Sequence, residues 1–111
     1  MPLKFLDHSG AGTTSDAINA IYYAVNNGAS VINNSWGGNS YSASLHEAMA
    51  YAYGQGVSIV TAAGNSTSNN DIIPMYPASY NVPSNMSIAA TTDLDFLASF
   101  SLELSPYVSI L

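Results

Sequence analysis

Two runs rich in β-branched and small apolar residues, at 30–35 and 57–63, each follow a segment whose apolar residues recur at helical spacing, and a third such run lies at 86–91 beyond a polar, Pro/Tyr-rich stretch. No other feature limits the fold so strongly. Neighbouring parallel strands need a crossover between them, usually a helix, and such crossovers are right-handed. The first helical stripe carries Ala17, Ile18, Ile21, Ala24 and Val25, and the second, over 42–53, carries Leu45, Ala48, Met49 and Ala52. Thr13 and Asp16 have capping-box spacing, with the carboxylate in place of the usual Glu or Gln. Gly28 fits a left-handed stop after the first helix, and Gly54 and Gly56 end the second. Residues 3–6 read as a further short strand and 97–101 as a short extended piece. The expected class is α/β, a parallel sheet flanked by helices in three layers. Neither a repeat nor a domain linker interrupts the 111 residues.

Only 7% of the chain is charged against 48% hydrophobic, where globular domains carry about 25% charged residues. The surface therefore falls to Asn, Ser, Thr, Gly and Tyr. Net charge is −6 and Lys4 is the only basic side chain. Binding nucleic acid requires cationic groups that displace counterions, so nucleic acid and an anionic membrane are both excluded as partners. With no cysteine there is no disulfide framework and no thiolate metal site. No apolar run approaches the roughly 18 residues that span a bilayer. M-P-L-K-F-L-D lacks the basic and apolar regions of a signal peptide, and the compartment stays unassigned.

In a parallel sheet of this kind, ligands bind beyond the carboxyl ends of the strands. Three loops fall there, at 9–13, 35–40 and 64–70, all rich in glycine or small polar residues. The third follows V-S-I-V-T-A-A-G-N, a buried strand that sheds bulk and ends on Asn65. Taken alone, Asn65 is an ordinary turn residue, Gly10 and Gly12 are a flexible lead into a helix, and Trp36 is as readily a core aromatic as a binding wall. S-G-A-G-T-T resembles a loose phosphate loop, but lacks the P-loop lysine and the G-x-G-x-x-G spacing. The eight tyrosines read as half-buried packing. Asp93 and Asp95 read as solvated turn formers.

L-D-H-S-G-A-G-T-T-S-D-A-I (6–18), V-I-N-N-S-W-G-G (31–38), T-A-A-G-N (61–65), Y-P-A-S-Y (76–80) and L-A-S-F-S (97–101) together resemble the subtilisin family of serine endopeptidases. They occur in the family's order and near its spacing, and cover about 3–101. The resemblance implies that the Asn65 amide stabilises the oxyanion of a tetrahedral intermediate, a role for which subtilisin is itself the reference case. It implies that Ala62, Ala63 and Gly64 form one wall of the pocket for the side chain preceding the cleaved bond. Ser35, Trp36 and Gly37 match one edge along which a substrate lies extended, and Gly10, Ala11 and Gly12 match the other. Between them a peptide would be held by main-chain hydrogen bonds, with Trp36 and Thr14 flanking apolar subsites.

The family's D-[ST]-G, H-G-T-H and G-T-S-M-A motifs, which carry its Asp, His and Ser, are absent from this sequence. Asp7, His8 and Ser9 are adjacent and cannot form the relay that nucleophilic catalysis needs, and His46 has no acidic partner. Proteolysis by this chain alone is therefore not expected. The resemblance fades after Ser101, which divides the chain into a partial peptidase domain at 1–101 and a divergent tail at 102–111, as a frameshift in a longer gene would produce. The family's Asp-bearing strand belongs between the segments matching 3–6 and 31–35, so without it two strand edges meet or stay exposed. No cofactor and no metal are expected. Calcium, which family members often bind, belongs to the full-length domain, where the carbonyls of Ala78 and Tyr80 match a weak cation loop. Expected partners are an extended peptide or protein substrate of the parent enzyme and flanking fragments of the same domain. The rival class is a non-catalytic peptide-binding or fragment-complementing module.

Overall fold

The computed structural model describes residues 1–65, 70–94, 96–99 and 109–110. Helix α1 spans Thr14–Asn26 and strand β1 Val31–Asn34; α2 spans Ala43–Gly54 and β2 Ser58–Ala62; β3 spans Asn85–Ala89 and β4 Ser109–Ile110. All four strands are parallel in the order β1-β2-β3-β4. Val31 lies opposite Ser58 and Asn34 opposite Thr61, while Ile59 lies opposite Asn85 and Ala62 opposite Ile88. Helix α2 makes the crossover between the parallel strands β1 and β2, whereas β2 reaches its parallel neighbour β3 through residues 63–84, which hold no helix among those described.

The helix ends follow from local chemistry. Thr13 caps α1, its Oγ1 accepting from the Asp16 amide at 3.1 Å. The Asp16 carboxylate accepts the Thr13 hydroxyl proton at 2.7 Å, where the usual capping box would have it take the cap's own N–H. Ser42 caps α2 in the same way through the Leu45 amide, at 3.2 Å. Both helices end in a Schellman turn. Ala29 N donates to Ala24 O at 3.0 Å beside Gly28 at φ +84°, and Val57 N donates to Ala52 O at 2.9 Å beside Gly56 at φ +78°. Gly54 belongs to the last turn of α2, so Gly56 alone supplies the left-handed residue expected of the pair.

Both helices contribute to one core. Ile21 and Val25 of α1 meet Leu45, Ala48, Met49 and Ala52 of α2 over Val57, Ile59, Tyr80 and Val82. The two helices of this chain therefore form a single layer on one face of the sheet. Tyr80 locks the 76–80 turn to this layer: its hydroxyl accepts from Ser42 N and donates to Ser42 O, both at 2.9 Å. Burial raises the Tyr80 phenol above its ordinary pKa, against the opposing pull of the Ser42 backbone.

Residues 3–6 are not a strand, contrary to the sequence reading. A strand requires a neighbour within ladder distance, and here a cavity of about 730 Å³ lies between Met1, Leu3 and Phe5 on one wall and Val31, Ile32 and Asn34 on the other. Val31 is left 59% exposed at this free edge. Of the expected extended piece at 97–101, Leu97 forms an antiparallel bridge with Thr91, and residues 100 and 101 lie outside the described part. Asp95, residues 66–69 of the third loop and residues 102–108 and 111 of the tail also lie outside it. Among the described residues no helix is long and apolar enough to cross a membrane.

Candidate functional site

The first glycine loop is a closed turn rather than a slack connection. Asp7 Oδ1 accepts from Ser9 N at 2.8 Å, Ser9 Oγ at 2.7 Å and Ala11 N at 3.1 Å, and Asp7 N donates to Ala11 O at 2.8 Å. The Ser9 hydroxyl, then the Ala11 and Ser9 amides, hold the Asp7 carboxyl below its ordinary pKa. Asp7 is thus spent on the loop and does not orient His8. Gly10 takes φ +81°, a conformation that L side chains rarely adopt.

Gly12 is required for a different reason. A Cβ there would come within 2.7 Å of the Phe5 carbonyl oxygen and 2.8 Å of Leu6 Cδ2. Gly12→Ala is expected to cost about 1–3 kcal/mol, as overpacking against backbone does. A Cβ on Gly38 would meet nothing within 4 Å, so Gly38→Ala should stay within about 0.5 kcal/mol. Urea unfolding of the two variants side by side checks the contrast.

The second rim leaves the end of β1. Trp36 is half-buried, meets Phe5 edge-on at 5.2 Å between centroids, and donates from Nε1 to Asn34 Oδ1 at 3.2 Å. It packs on the main core and also lines the cleft, so the two roles open to it in the sequence coexist. Asn33 Nδ2 donates to Ser35 Oγ at 3.1 Å. Gly38 and Tyr76 exchange two backbone hydrogen bonds of 2.8 Å, which fasten this rim to the 76–80 turn. Gly10, Ala11, Gly12 and Thr14 face Ser35, Trp36 and Gly37 across one cavity of about 470 Å³.

Ala62, Ala63, Gly64 and Asn65 do not line that cavity. They continue β2, and because Asn34 lies opposite Thr61, they leave the sheet beside Ser35–Gly37 at the same carboxyl end. Ala62 and Asn65 are exposed, while Ala63 is 1% exposed and packs with Ala89 and Met75. Of the three wall residues, only Ala62 and Gly64 therefore offer surface. The sequence reading missed Asn70, a buried amide that donates to Ala63 O at 3.1 Å and ties the third loop to the end of β2. It sits in a polar stretch with nothing to distinguish it from its neighbours.

His46 is stacked on Tyr80 at 5.2 Å with 9° between planes, and its Nδ1 lies 3.2 Å from the Tyr41 hydroxyl. It belongs to an aromatic cluster with Tyr41, Tyr76 and Tyr80. Among the described residues no group of three His, Asp or Glu side chains could hold a metal. The carbonyls of Ala78 and Tyr80, candidates for a cation loop, both accept from Asn85 Nδ2, at 3.3 and 3.2 Å. That point holds a hydrogen-bond donor, where a cation would need oxygen.

The model of the subtilase family matches residues 1–108. A thermophilic serine proteinase of Bacillus sp. (strain AK1) is 41% identical over 102 residues, which cover 91% of this chain and 24% of that protein. Thermitase of Thermoactinomyces vulgaris is 38% identical over 101 residues, covering 91% of this chain and 34% of thermitase. Among solved structures, a cold-adapted subtilisin-like serine proteinase superposes with a TM-score of 0.82 at 36% identity, covering 96% of this chain and 38% of that one. The chain thus spans between a quarter and two fifths of the length of these proteins.

Proposed function

The chain belongs to the subtilase family, and from that premise we propose that it is the central part of a serine endopeptidase domain which does not hydrolyse peptides by itself. The observation that carries this reading is the meeting of Gly10–Gly12 and Thr14 with Ser35–Gly37 around one cleft, beside the strand end that bears Asn65. An extended peptide would lie between the two rims, held by main-chain hydrogen bonds as an added strand is. Gly10 and Gly12 on one side and Gly37 on the other carry no side chain that would hold the peptide backbone away. Trp36 and Thr14 then bound the space for apolar side chains.

Asn65 is short, exposed and set at the end of a strand. As the scissile carbonyl becomes tetrahedral, its oxygen gains negative charge, and an amide N–H already in place stabilises that charge with little reorganisation. The groups that would attack the carbon and carry the proton are missing, because the three family motifs that hold them are absent from the sequence. Purified chain incubated with fluorogenic peptides and a serine-directed phosphonate is expected to give neither turnover nor labelling. Turnover accompanied by labelling of one serine would overturn the inactivity.

A second reading, a fragment-complementing module, has one specific observation in its favour. The free edge of β1 faces the 730 Å³ cavity, and Asn34 lies on its wall with Nδ2 lacking a hydrogen-bond partner. An unmade bond from a buried donor costs about 1–3 kcal/mol, which an added strand could recover. Mixing the chain with the flanking segments of a related peptidase domain separates the two readings. Activity that appears only in the mixture identifies a complementing module.

A further inference from the structure

The side chain of Asn85 makes four hydrogen bonds at the start of β3. Its oxygen accepts from Thr61 Oγ1 at 2.7 Å, and its nitrogen donates toward the carbonyls of Pro77, Ala78 and Tyr80 at 3.1, 3.3 and 3.2 Å. The orientation of the amide is fixed by its surroundings. Thr61 is fully buried on β2, and turning the amide over would aim its oxygen at three carbonyl oxygens. Two N–H protons of the amide serve three acceptors, and the turn's own backbone adds Tyr80 N to Pro77 O at 3.2 Å and Val82 N to Tyr80 O at 2.9 Å, so of the three carbonyls Ala78 O leans most on the amide. Three main-chain carbonyls converging on one point form the kind of oxygen set that a hard cation takes.

We propose that the Asn85 amide stands in for a cation at the 77–80 turn, holding it without metal, and that a carboxylate at this position would turn the same locus into a calcium site. The calcium that the family resemblance suggested for this loop does not fit the residues present, because the amide fills its place with donors. The consequence reaches the cleft. The turn begins at Tyr76, whose backbone pairs with Gly38 on the second rim, and it is closed by Ser79 N to Met75 O at 2.7 Å and Met75 N to Ser79 Oγ at 3.1 Å. Asn85 therefore anchors from β3 a turn that fastens a rim of the cleft. The inference depends on this hydrogen-bond set alone and stands whether or not the chain comes from a peptidase.

The test compares the melting of the 111-residue chain, Asn85→Asp and Asn85→Ala in EDTA and in millimolar calcium chloride. In Asn85→Asp one carboxylate oxygen still accepts from Thr61, while the other faces three carbonyls with no proton between. In EDTA that variant is expected to melt on the order of 5–10 °C below the parent chain, and calcium should restore at least half of the loss. The parent chain should melt at the same temperature in both buffers. Asn85→Ala should be destabilised alike in both, showing that the recovery of the aspartate variant is coordination and not general screening. The proposal is overturned if the parent gains as much from calcium as Asn85→Asp does. It is equally overturned if Asn85→Asp loses nothing in EDTA, or stays as unstable in calcium as without it.

Discussion

Asn65→Ala is expected to leave folding stability within about 0.5 kcal/mol of the parent, as exposed substitutions do, yet to abolish most of the rate in an active setting. That setting is a chimera in which residues 3–65 replace the matching segment of the cold-adapted subtilisin-like proteinase, whose fold this chain shares. Loss of one such donor in subtilisin lowers kcat by about 10²–10³, and that reference value is carried over to the chimera. On the oxyanion reading KM should change little, because an amide in that role meets charge that exists only in the transition state. Asn65→Asp keeps the shape but places an anion where negative charge develops, so its kcat should fall at least as far. The contrary reading, Asn65 as a plain turn former, makes the opposite demand: stability should drop and kcat should hold. Thermal melts and steady-state kinetics on the same three proteins decide between them.

The fold was legible in the sequence wherever local chemistry and periodicity agreed. The stripe through Ala17, Ile21 and Val25 lies between a threonine cap and a left-handed glycine, and the helix obeys all three signals. The strand ending T-A-A-G-N lies where its small residues placed it. Residues 3–6 misled because a strand is a pairing and not a property of a segment; their apolar pattern is real, but a cavity separates them from β1. The second rim was legible as a glycine-bearing loop at the end of β1, and the first as a glycine-bearing lead into α1. Their internal wiring was not. Asp7 and Asn85 each bond partners set by loop geometry, several residues away in the case of Asn85, and no periodicity reports such bonds. Ala63 shows the same limit from the other side: the family resemblance placed it in a pocket wall, and a motif match does not say whether Met75 and Ala89 pack against it.

Ile59→Ala should produce the largest loss of stability among simple truncations. Ile59 is 0% exposed near the start of β2 and belongs to the cluster that Met49 and Ala52 bring down from α2. Truncating a fully buried Ile to Ala costs about 2–5 kcal/mol, the spread reflecting how far the cavity can collapse. Helix α2 is held against the sheet by Tyr80 through Ser42 and by its Schellman turn into Val57, which leaves little freedom to close the gap, so the upper half of that range is expected. Domain stabilities are about 5–15 kcal/mol in all, and this sheet has an open edge at β1. A loss of that size would leave a sizeable unfolded fraction at room temperature. Ile59→Val should cost only about 0.5–1.5 kcal/mol. Val31→Ala, on the 59% exposed edge residue, should stay within about 0.5 kcal/mol. Urea midpoints at constant m give the three values. Equal losses at positions 31 and 59 would mean that the helices do not seal this face of the sheet. In the chimera, Ile59→Ala should lower the melting temperature while kcat per folded molecule holds, the reverse of Asn65→Ala, because Ile59 fills the buried side of β2 and lines no part of the cleft.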